Sequence, residues 1–242
     1  ARPDWKGKSA NADYGDVVEE LDGRIGDLLK VLEDEELEKN TIVIFMSDNG
    51  TEPGQRKWGS GEPFRGLKWS ALEGGTRVPC ILRFPDLIPA GEVTGKLTTA
   101  IDLLPTLAGA CGIKLKEGPG IVPKIDGLNL WESLQGKAKA HPRSNLLYWH
   151  GWAMPQAIRV GDWKLYLDKV KEIPGTNKGP VLIDLSKDPR EEKDLASEHP
   201  EKVKELKELA SKLLSEIEGN SISLGGPANP KKQNKKGGFW LK

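Results

Sequence analysis

Three polar residues of this sequence have the types and positions to do chemistry on an anion. Asp48 and Asn49 place a carboxylate beside an amide oxygen, and hard cations such as calcium take this mixture of oxygen ligands. Lys68 follows further along the chain, and its ammonium is a compact donor for an anionic oxygen. Asp-Asn-Gly is also a common turn sequence, and loop lysines are commonly solvated. Local chemistry therefore leaves two possibilities open: a site that binds a cation and an anion, or an ordinary turn with a solvated lysine.

A charged, glycine-rich segment follows Lys68. Residues 73–79 read Glu-Gly-Gly-Thr-Arg-Val-Pro, and paired glycines allow backbone angles that other residues avoid. Glu73 and Arg77 could pair with each other. We expect this turn to be structural, because it would hold the Lys68 loop in place rather than contact a substrate.

Three further side chains are candidates for substrate contact. Trp58 and Trp69 flank Lys68 in a long loop, residues 51–77, and a tryptophan ring can stack on a sugar through its apolar face. Local packing of the loop is the alternative for both rings. His150 follows a short apolar run, where a lone histidine is more often structural than functional.

The elements that must position these residues are those of an α/β protein. Apolar residues at three- and four-residue spacing predict a helix over 13–32. The β-branched run 41–46 then predicts a strand covered on both faces, as in a parallel sheet, and Asp48 follows its carboxyl end, where open α/β sheets place ligands. A second strand is predicted over 78–84 and a short helix over 102–110.

The second half of the chain has a different pattern. Short strands are predicted over 145–149, 157–160, 163–167 and 181–185, with Gly161-Asp162 as a tight hairpin, followed by an amphipathic helix over 200–218. The predicted fold is α/β with a small antiparallel sheet and helix as a subdomain. We divide it into an α/β part (1–115), a linker region (116–143), the small subdomain (144–220) and a basic tail (221–242).

Composition excludes several classes of function. The 242 residues carry 36 basic and 36 acidic side chains, and this zero net charge gives no field for nonspecific nucleic-acid binding. No apolar run approaches the roughly 20 residues that span a bilayer. Only two cysteines are present, Cys80 and Cys111, which is too few for a disulfide scaffold. We expect both side chains to be buried like small hydrophobic residues. The sequence leaves open whether they are two free thiols or one disulfide bridge.

Taken together, the motifs resemble the C-terminal part of the type I, formylglycine-dependent sulfatases, the arylsulfatase and N-acetylgalactosamine-6-sulfatase group of the alkaline phosphatase superfamily. The order and spacing of the segments make this resemblance specific. The matching segments are 14–16, 21–22, 40–45, 47–50, 66–68, 73–79 and 101–106, then 159–165 and 185–189 in the small subdomain.

The resemblance implies roles for the residues introduced above. Asp48 and Asn49 match two ligands of the family's active-site calcium, and Lys68 matches the lysine that contacts the substrate sulfate. A divalent ion and a fixed ammonium would stabilise the charge that develops when a sulfate ester is cleaved. The implied substrate is a sulfate ester, and several family members act on sulfated carbohydrates. Family members are commonly exported, which implies a periplasmic or secreted protein.

The resemblance also implies that part of the site lies elsewhere. The family nucleophile is a formylglycine made within a Cys/Ser-x-Pro-x-Arg motif, and neither Cys80 nor Cys111 is followed by that sequence. Two ligands cannot supply the six to eight oxygens that calcium takes. We therefore expect a fragment that is inactive alone and needs the N-terminal segment or self-association. The alternatives are a phosphoester or phosphonate-ester hydrolase of the same superfamily, and a truncated, non-catalytic binding protein.

Overall fold

A computed structural model describes residues 1–118, 124–150, 154–173 and 179–220, without the side chains of His150 and Met154. The predicted α/β class is confirmed. The helices are α1 (Ala12–Asp34), α2 (Glu73–Thr76), α3 (Leu103–Ala110), α4 (Trp131–Leu134) and α5 (Pro200–Asn220). The strands are β1 (Val43–Met46), β2 (Cys80–Arg83), β3 (Asn145–His150), β4 (Met154–Val160), β5 (Trp163–Tyr166) and β6 (Val181–Asp184). None of the described helices is long and apolar enough to cross a membrane.

Helix α1 forms where the apolar periodicity predicts it. Its stripe remains largely uncovered, because Val17, Leu21 and Leu28 are 50%, 50% and 54% exposed. Its N-terminal part is held differently: the buried Asp16 carboxylate accepts the backbone N–H groups of residues 7, 8 and 9 at 2.7, 3.1 and 2.8 Å. The helix therefore anchors the preceding segment while presenting an apolar face outward.

The pairing of the first strand differs from the prediction. Strand β1 pairs with β2 in an antiparallel, two-stranded sheet, with Val43 opposite Arg83 and Met46 opposite Cys80. Phe45 is 38% exposed and Ile81 62% exposed. The expectation of a strand in a parallel sheet, covered on both faces, is wrong for the described residues, because a continuous apolar run indicates a strand but not its partner.

Both cysteines also depart from expectation. Cys80 begins β2 and Cys111 follows α3, and each is an exposed free thiol. The prediction of small buried hydrophobes is therefore wrong for both. Cys80 is exposed because no described layer covers its part of the two-stranded sheet.

The four short strands of the second half are confirmed as one antiparallel sheet in the order β3-β4-β5-β6. Gly161 and Asp162 form the predicted hairpin between β4 and β5, and Gly161 has a φ of +57°, a left-handed conformation that glycine adopts readily. Successive residues along each strand point alternately into two hydrophobic cores, one on each face of the sheet. Ile158, Leu165 and Leu182 pack with Leu206 and Ala210 of α5 on one face.

The other face of this sheet is covered from a distant part of the sequence. Ala157, Tyr166 and Ile183 pack there against Ala71 and Leu72, which lie between Lys68 and α2. The small sheet therefore receives α5 on one face and the end of the Lys68 loop on the other.

An ion pair joins α3 to the start of the small sheet. Asp102 accepts two bonds from the Arg143 guanidinium, at 2.7 and 2.5 Å, and both side chains are buried. The same carboxylate accepts the Leu128 backbone N–H at 2.8 Å. The described part of the region 116–143 is thus fixed to α3, and the domain boundaries assigned from the sequence stay predictions.

Candidate functional site

The loop of Asp48 and Asn49 follows β1 directly. Asp48 is exposed and Asn49 is half-buried. The next residue, Gly50, donates its backbone N–H to the carbonyl of Gly75 at 3.0 Å. A Cβ atom at Gly50 would lie 1.9 Å from the carbonyl oxygen of Gly74, so only glycine allows this approach. The loop therefore rests on the backbone of α2.

Lys68 lies on the segment next to this loop. Its backbone N–H donates to the Thr51 carbonyl at 3.0 Å. Its Nζ atom lies 3.1 Å from a carboxylate oxygen of Glu52 and 5.3 Å from the centroid of the Trp69 ring. The Gly50–Gly75 and Lys68–Thr51 bonds together bring the loop of Asp48 and the loop of Lys68 side by side.

A cavity of about 540 Å³ opens beside Lys68. Lys68 and Trp69 contribute to its wall, and Trp69 is 78% exposed with a φ of +77°. The charged side chains in the wall, besides Lys68, are Arg56, Glu62, Arg65, Glu172 and Arg190. We call this cavity the basic groove, because its wall carries four cationic side chains and two carboxylates.

Two cations of the basic groove have no carboxylate partner among the described residues. Arg65 donates to the backbone carbonyls of Glu191 and Glu172, which leaves its charge uncompensated. Arg56 is exposed and forms no ion pair with any described side chain. Arg190, in contrast, pairs with Glu62 at 2.6 Å. The groove can therefore attract an anionic group beside Lys68.

Of the other substrate-contact candidates, Trp58 does not line the basic groove. Trp58 lines a separate cavity of about 330 Å³ together with Tyr14 and Gln55. The side chain of His150 lies outside the described residues. The structure thus brings Lys68 and Trp69 together and leaves the role of all six candidate side chains a prediction.

The donor set of the loop suits calcium in kind but not in number. Asp48 and Asn49 offer a carboxylate and an amide oxygen, which are calcium ligands. Among the described residues, no three His, Cys, Asp or Glu side chains converge in a way that could hold a metal ion. A bound calcium would therefore need oxygen ligands from outside this described set.

A buried charge cluster lies behind the site, and sequence reasoning missed most of it. Glu73, 1% exposed, lies 2.9 Å from Nζ of Lys164 and 3.2 Å from the Arg159 guanidinium. The expected pair with Arg77 is present but longer, at 3.8 Å. Lys164 also lies 3.0 Å from Glu191. The one sequence signal was a lysine at a core-facing position of β5.

Two tyrosines complete the cluster. The Tyr166 hydroxyl donates to Glu191 at 2.5 Å, and burial raises the pKa of Tyr166 well above its ordinary value. Burial likewise raises the pKa of Tyr148, which faces Glu73. Both hydroxyls therefore stay protonated and can donate hydrogen bonds to the buried carboxylates.

Comparison with known proteins gives a consistent result. Residues 3–113 match the Sulfatase family model. The chain is 32% identical over 228 residues to mouse (Mus musculus) steryl-sulfatase, a match that covers 82% of this chain and 36% of that protein. It is 32% identical over 226 residues to N-acetylgalactosamine-6-O-sulfatase of Bacteroides thetaiotaomicron, covering 86% of this chain and 43% of that one.

Solved structures give the same fold. A sulfatase structure from work on glycosaminoglycan metabolism by Bacteroides thetaiotaomicron superposes with a TM-score of 0.74 at 32% identity, covering 87% of this chain and 46% of that one. A sulfatase from Pseudoalteromonas sp. superposes with a TM-score of 0.79 at 22% identity, covering 93% and 47%, a likeness that concerns the fold alone. The chain spans less than half the length of these relatives.

Proposed function

The chain belongs to the sulfatase family, and from that premise we propose that it supplies one part of the active site of a calcium-dependent sulfatase. In this proposal Asp48 and Asn49 are calcium ligands and Lys68 contacts the sulfate. The observation that carries it is the pair of backbone bonds, Gly50 to Gly75 and Lys68 to Thr51, that aligns the two loops.

The chemistry of these groups fits cleavage of a sulfate ester. Negative charge develops on the sulfuryl and leaving-group oxygens as the ester bond breaks. The Lys68 ammonium would stabilise that charge by hydrogen bonding, and removing one such donor typically lowers kcat by about 10²–10³-fold. A bound calcium would add a fixed positive charge at the same oxygens. The Glu52 carboxylate, now 3.1 Å from Lys68, would give way to the substrate.

The chain alone is expected to be inactive in this proposal. Asp48 and Asn49 fall short of the six to eight oxygens that calcium takes, and the formylglycine nucleophile would come from a segment outside this chain. The relatives named above are all sulfatases, and no feature of the described residues favours a phosphoester substrate.

The substrate class we propose is a sulfated glycan. Trp69 presents most of its ring at the rim of the basic groove, and an exposed aromatic face suits stacking on a sugar. Arg56 and Arg65 supply charge for a second anionic group on the same chain of sugars. Steryl sulfates, by contrast, carry no second anion for these two cations to bind.

A chimaera tests this proposal. The part of the Bacteroides relative that precedes its match to this chain is joined to residues 1–220, and hydrolysis of an aryl sulfate and of 6-O-sulfated N-acetylgalactosamine is measured with calcium. We expect activity on both, a loss of about 10²–10³-fold in kcat/KM for Lys68→Ala, and no loss for Lys57→Ala, an exposed lysine of the same loop. Trp69→Ala should reduce sugar-sulfate hydrolysis only.

Two outcomes would overturn the assignment. One is a folded, calcium-binding chimaera with no sulfatase activity, and the other is full activity in Lys68→Ala. If the chimaera does not fold, residues 47–69 alone are placed in the relative, and the same pair of lysine variants is compared there. Turnover of an aryl sulfate by the isolated chain would contradict the expected need for a further segment.

A further inference from the structure

We propose that Lys164, on β5 of the small sheet, is a positioning residue for the candidate site: it fixes the turn 71–75 that holds Gly50 and Lys68. The placement stands on contacts within the described chain, whereas its meaning for catalysis rests on the proposed function. Lys164 is fully buried and lies on the sheet face that Ala71 and Leu72 cover.

All three protons of the Lys164 ammonium have acceptors. Its Nζ atom lies 2.7 Å from the carbonyl of Ala71, 2.9 Å from Glu73 and 3.0 Å from Glu191. Arg159 adds a second positive charge at 3.2 Å from Glu73, so two acids and two bases balance. Since an apolar core of similar volume is often at least as stable as a buried ion pair, the cluster is explained better by what it holds than by stability.

What the cluster holds is the backbone of one short turn. Lys164 binds the turn at Ala71 and Glu73, and the Glu191 carboxylate accepts the Glu73 backbone N–H at 2.6 Å. The turn continues to Gly75, whose carbonyl accepts the N–H of Gly50. The small subdomain is thus connected, through the backbone of residues 71–75, to the loop of the proposed calcium ligands.

The turn has little room to absorb a shift. A Cβ atom added at Gly74 would lie 2.5 Å from the carbonyl oxygen of Arg65, and one at Gly75 would lie 2.3 Å from that of Ser70. Backbone therefore packs directly on backbone, and a close-packed interior transmits a displacement rather than damping it. Moving the turn would move Ser70 and with it Lys68, two residues before.

A direct catalytic role for the cluster is excluded by its position. Among the described residues that line the basic groove, Leu72 belongs to this turn and Ser70 directly precedes it, but Glu73, Lys164 and Glu191 do not line the groove. The ammonium is enclosed instead by the rings of Tyr148 and Tyr166, at 4.4 and 5.2 Å. Lys164 can therefore act on a substrate only through the turn.

Hydrogen exchange measured by mass spectrometry on the full chain tests the placement. In Lys164→Met, we expect peptides covering 47–51 and 66–76 to exchange about tenfold faster or more, while peptides from β4 and β5 keep their protection. Lys187→Met is the matched control, because that lysine is 82% exposed in its pair with Asp184. Unchanged exchange in the two loop peptides would overturn the proposal.

A double variant separates positioning from simple charge balance. Lys164→Met with Glu191→Gln leaves Glu73 paired with Arg159, which removes the unpaired buried carboxylate and also covers the case in which Lys164→Met alone does not fold. We expect the double variant to fold while the loop peptides still exchange rapidly, because the anchor on Ala71 is gone. Restored protection of those peptides would make the lysine a charge-balancing residue only.

The chimaera then connects the placement to catalysis. The double variant should lower kcat by about tenfold or more with a much smaller change in KM, since a misplaced Lys68 weakens the transition state more than the ground state. Faster loop exchange with unchanged kcat would leave the placement standing and contradict the role proposed for Lys68. Unchanged loop exchange would instead remove the positioning role alone.

Discussion

The two ends of this chain bury their apolar residues to very different degrees. In the small sheet, Ile158, Leu165 and Leu182 are fully buried, whereas Leu21 and Leu28 of α1 are half exposed. Both regions consist of elements with regular apolar periodicity. The degree of burial differs because α5 and the Lys68 loop cover the two faces of the small sheet, while no described element covers the outer face of α1.

The described elements of this chain cover the small sheet on both faces but leave α1 and the β1–β2 pair partly uncovered. Burying one Leu or Val side chain contributes about 1.5–3 kcal/mol to folding, and the small sheet gains this from both of its faces. Helix α1 and the β1–β2 pair gain much less, and the relatives of this chain are more than twice as long as their matched part. We therefore expect a further layer over this region in an active sulfatase.

The sharpest way to test the contrast is a matched pair of leucine substitutions in the two long helices. Leu206→Ala in α5 removes a fully buried side chain and should lower the free energy of unfolding by about 2–5 kcal/mol. Leu28→Ala in α1, where the side chain is 54% exposed, should change it by less than about 0.5 kcal/mol. Urea denaturation followed by circular dichroism measures both. Equal losses would mean that α1 is covered in solution.

The exposed apolar face of α1 leads to a second prediction, which concerns self-association. We expect the isolated chain to self-associate through it, because contiguous exposed apolar surface of this kind drives association. Leu21→Lys should shift the sedimentation-derived mass toward the 26.5 kDa of one chain, whereas Glu19→Lys, on an exposed polar position of the same helix, should not. A monodisperse monomer before substitution would contradict this expectation.

The smallest expected effect concerns acid pH at the start of α1. Hydrogen bonds from the backbone N–H groups of Ser9 and Gly7 lower the pKa of Asp16 below its ordinary value of 3.8. The stability from these bonds is therefore present above pH 3.8 and is lost as pH falls through the lowered pKa. Hydrogen exchange in a peptide covering residues 1–10 should accelerate over that range.

Substitution at the same carboxylate provides the control for the acid experiment. Asp16→Asn should accelerate exchange in the 1–10 peptide already at neutral pH and remove its dependence on acid. Asp13→Asn, an exposed position one turn earlier, should leave both unchanged. A wild-type-like profile for Asp16→Asn would show that the segment is held by packing, for which the Trp5 ring against Gly23 is the available contact.

Sequence reasoning succeeded where structure follows from local periodicity. The strands of the small sheet and the helices α1 and α5 lie where alternation and three-to-four-residue spacing place them, because these patterns describe one element and one buried face. The Gly161-Asp162 hairpin was predictable for the same local reason. Asp48 and Lys68 were selected by residue type and by the family resemblance, and their roles stay predictions.

The structural predictions that failed concern contacts between residues far apart in sequence. The run of β1 indicated a strand but not that β2 would pair with it antiparallel, and the burial of Cys80 was inferred from a layer that the described chain does not contain. The burial of a charged lysine at position 164 is explained by Glu73, which lies 91 residues earlier in the sequence and beside Lys164 in the structure. Such contacts are set by tertiary packing, which a single sequence does not display.

The sharing of one core by the small sheet and the Lys68 loop also limits how this protein can change over evolutionary time. Ala71 and Leu72 lie in the same cluster as Tyr166 and Ile183, so a new side chain in the sheet alters the support of the loop at once. Stabilising substitutions in that core cannot then accumulate neutrally, and each must be compatible with the loop. By contrast, substitutions on the α5 face of the same sheet do not alter the support of the loop, so a laboratory search for a more heat-resistant variant should begin there.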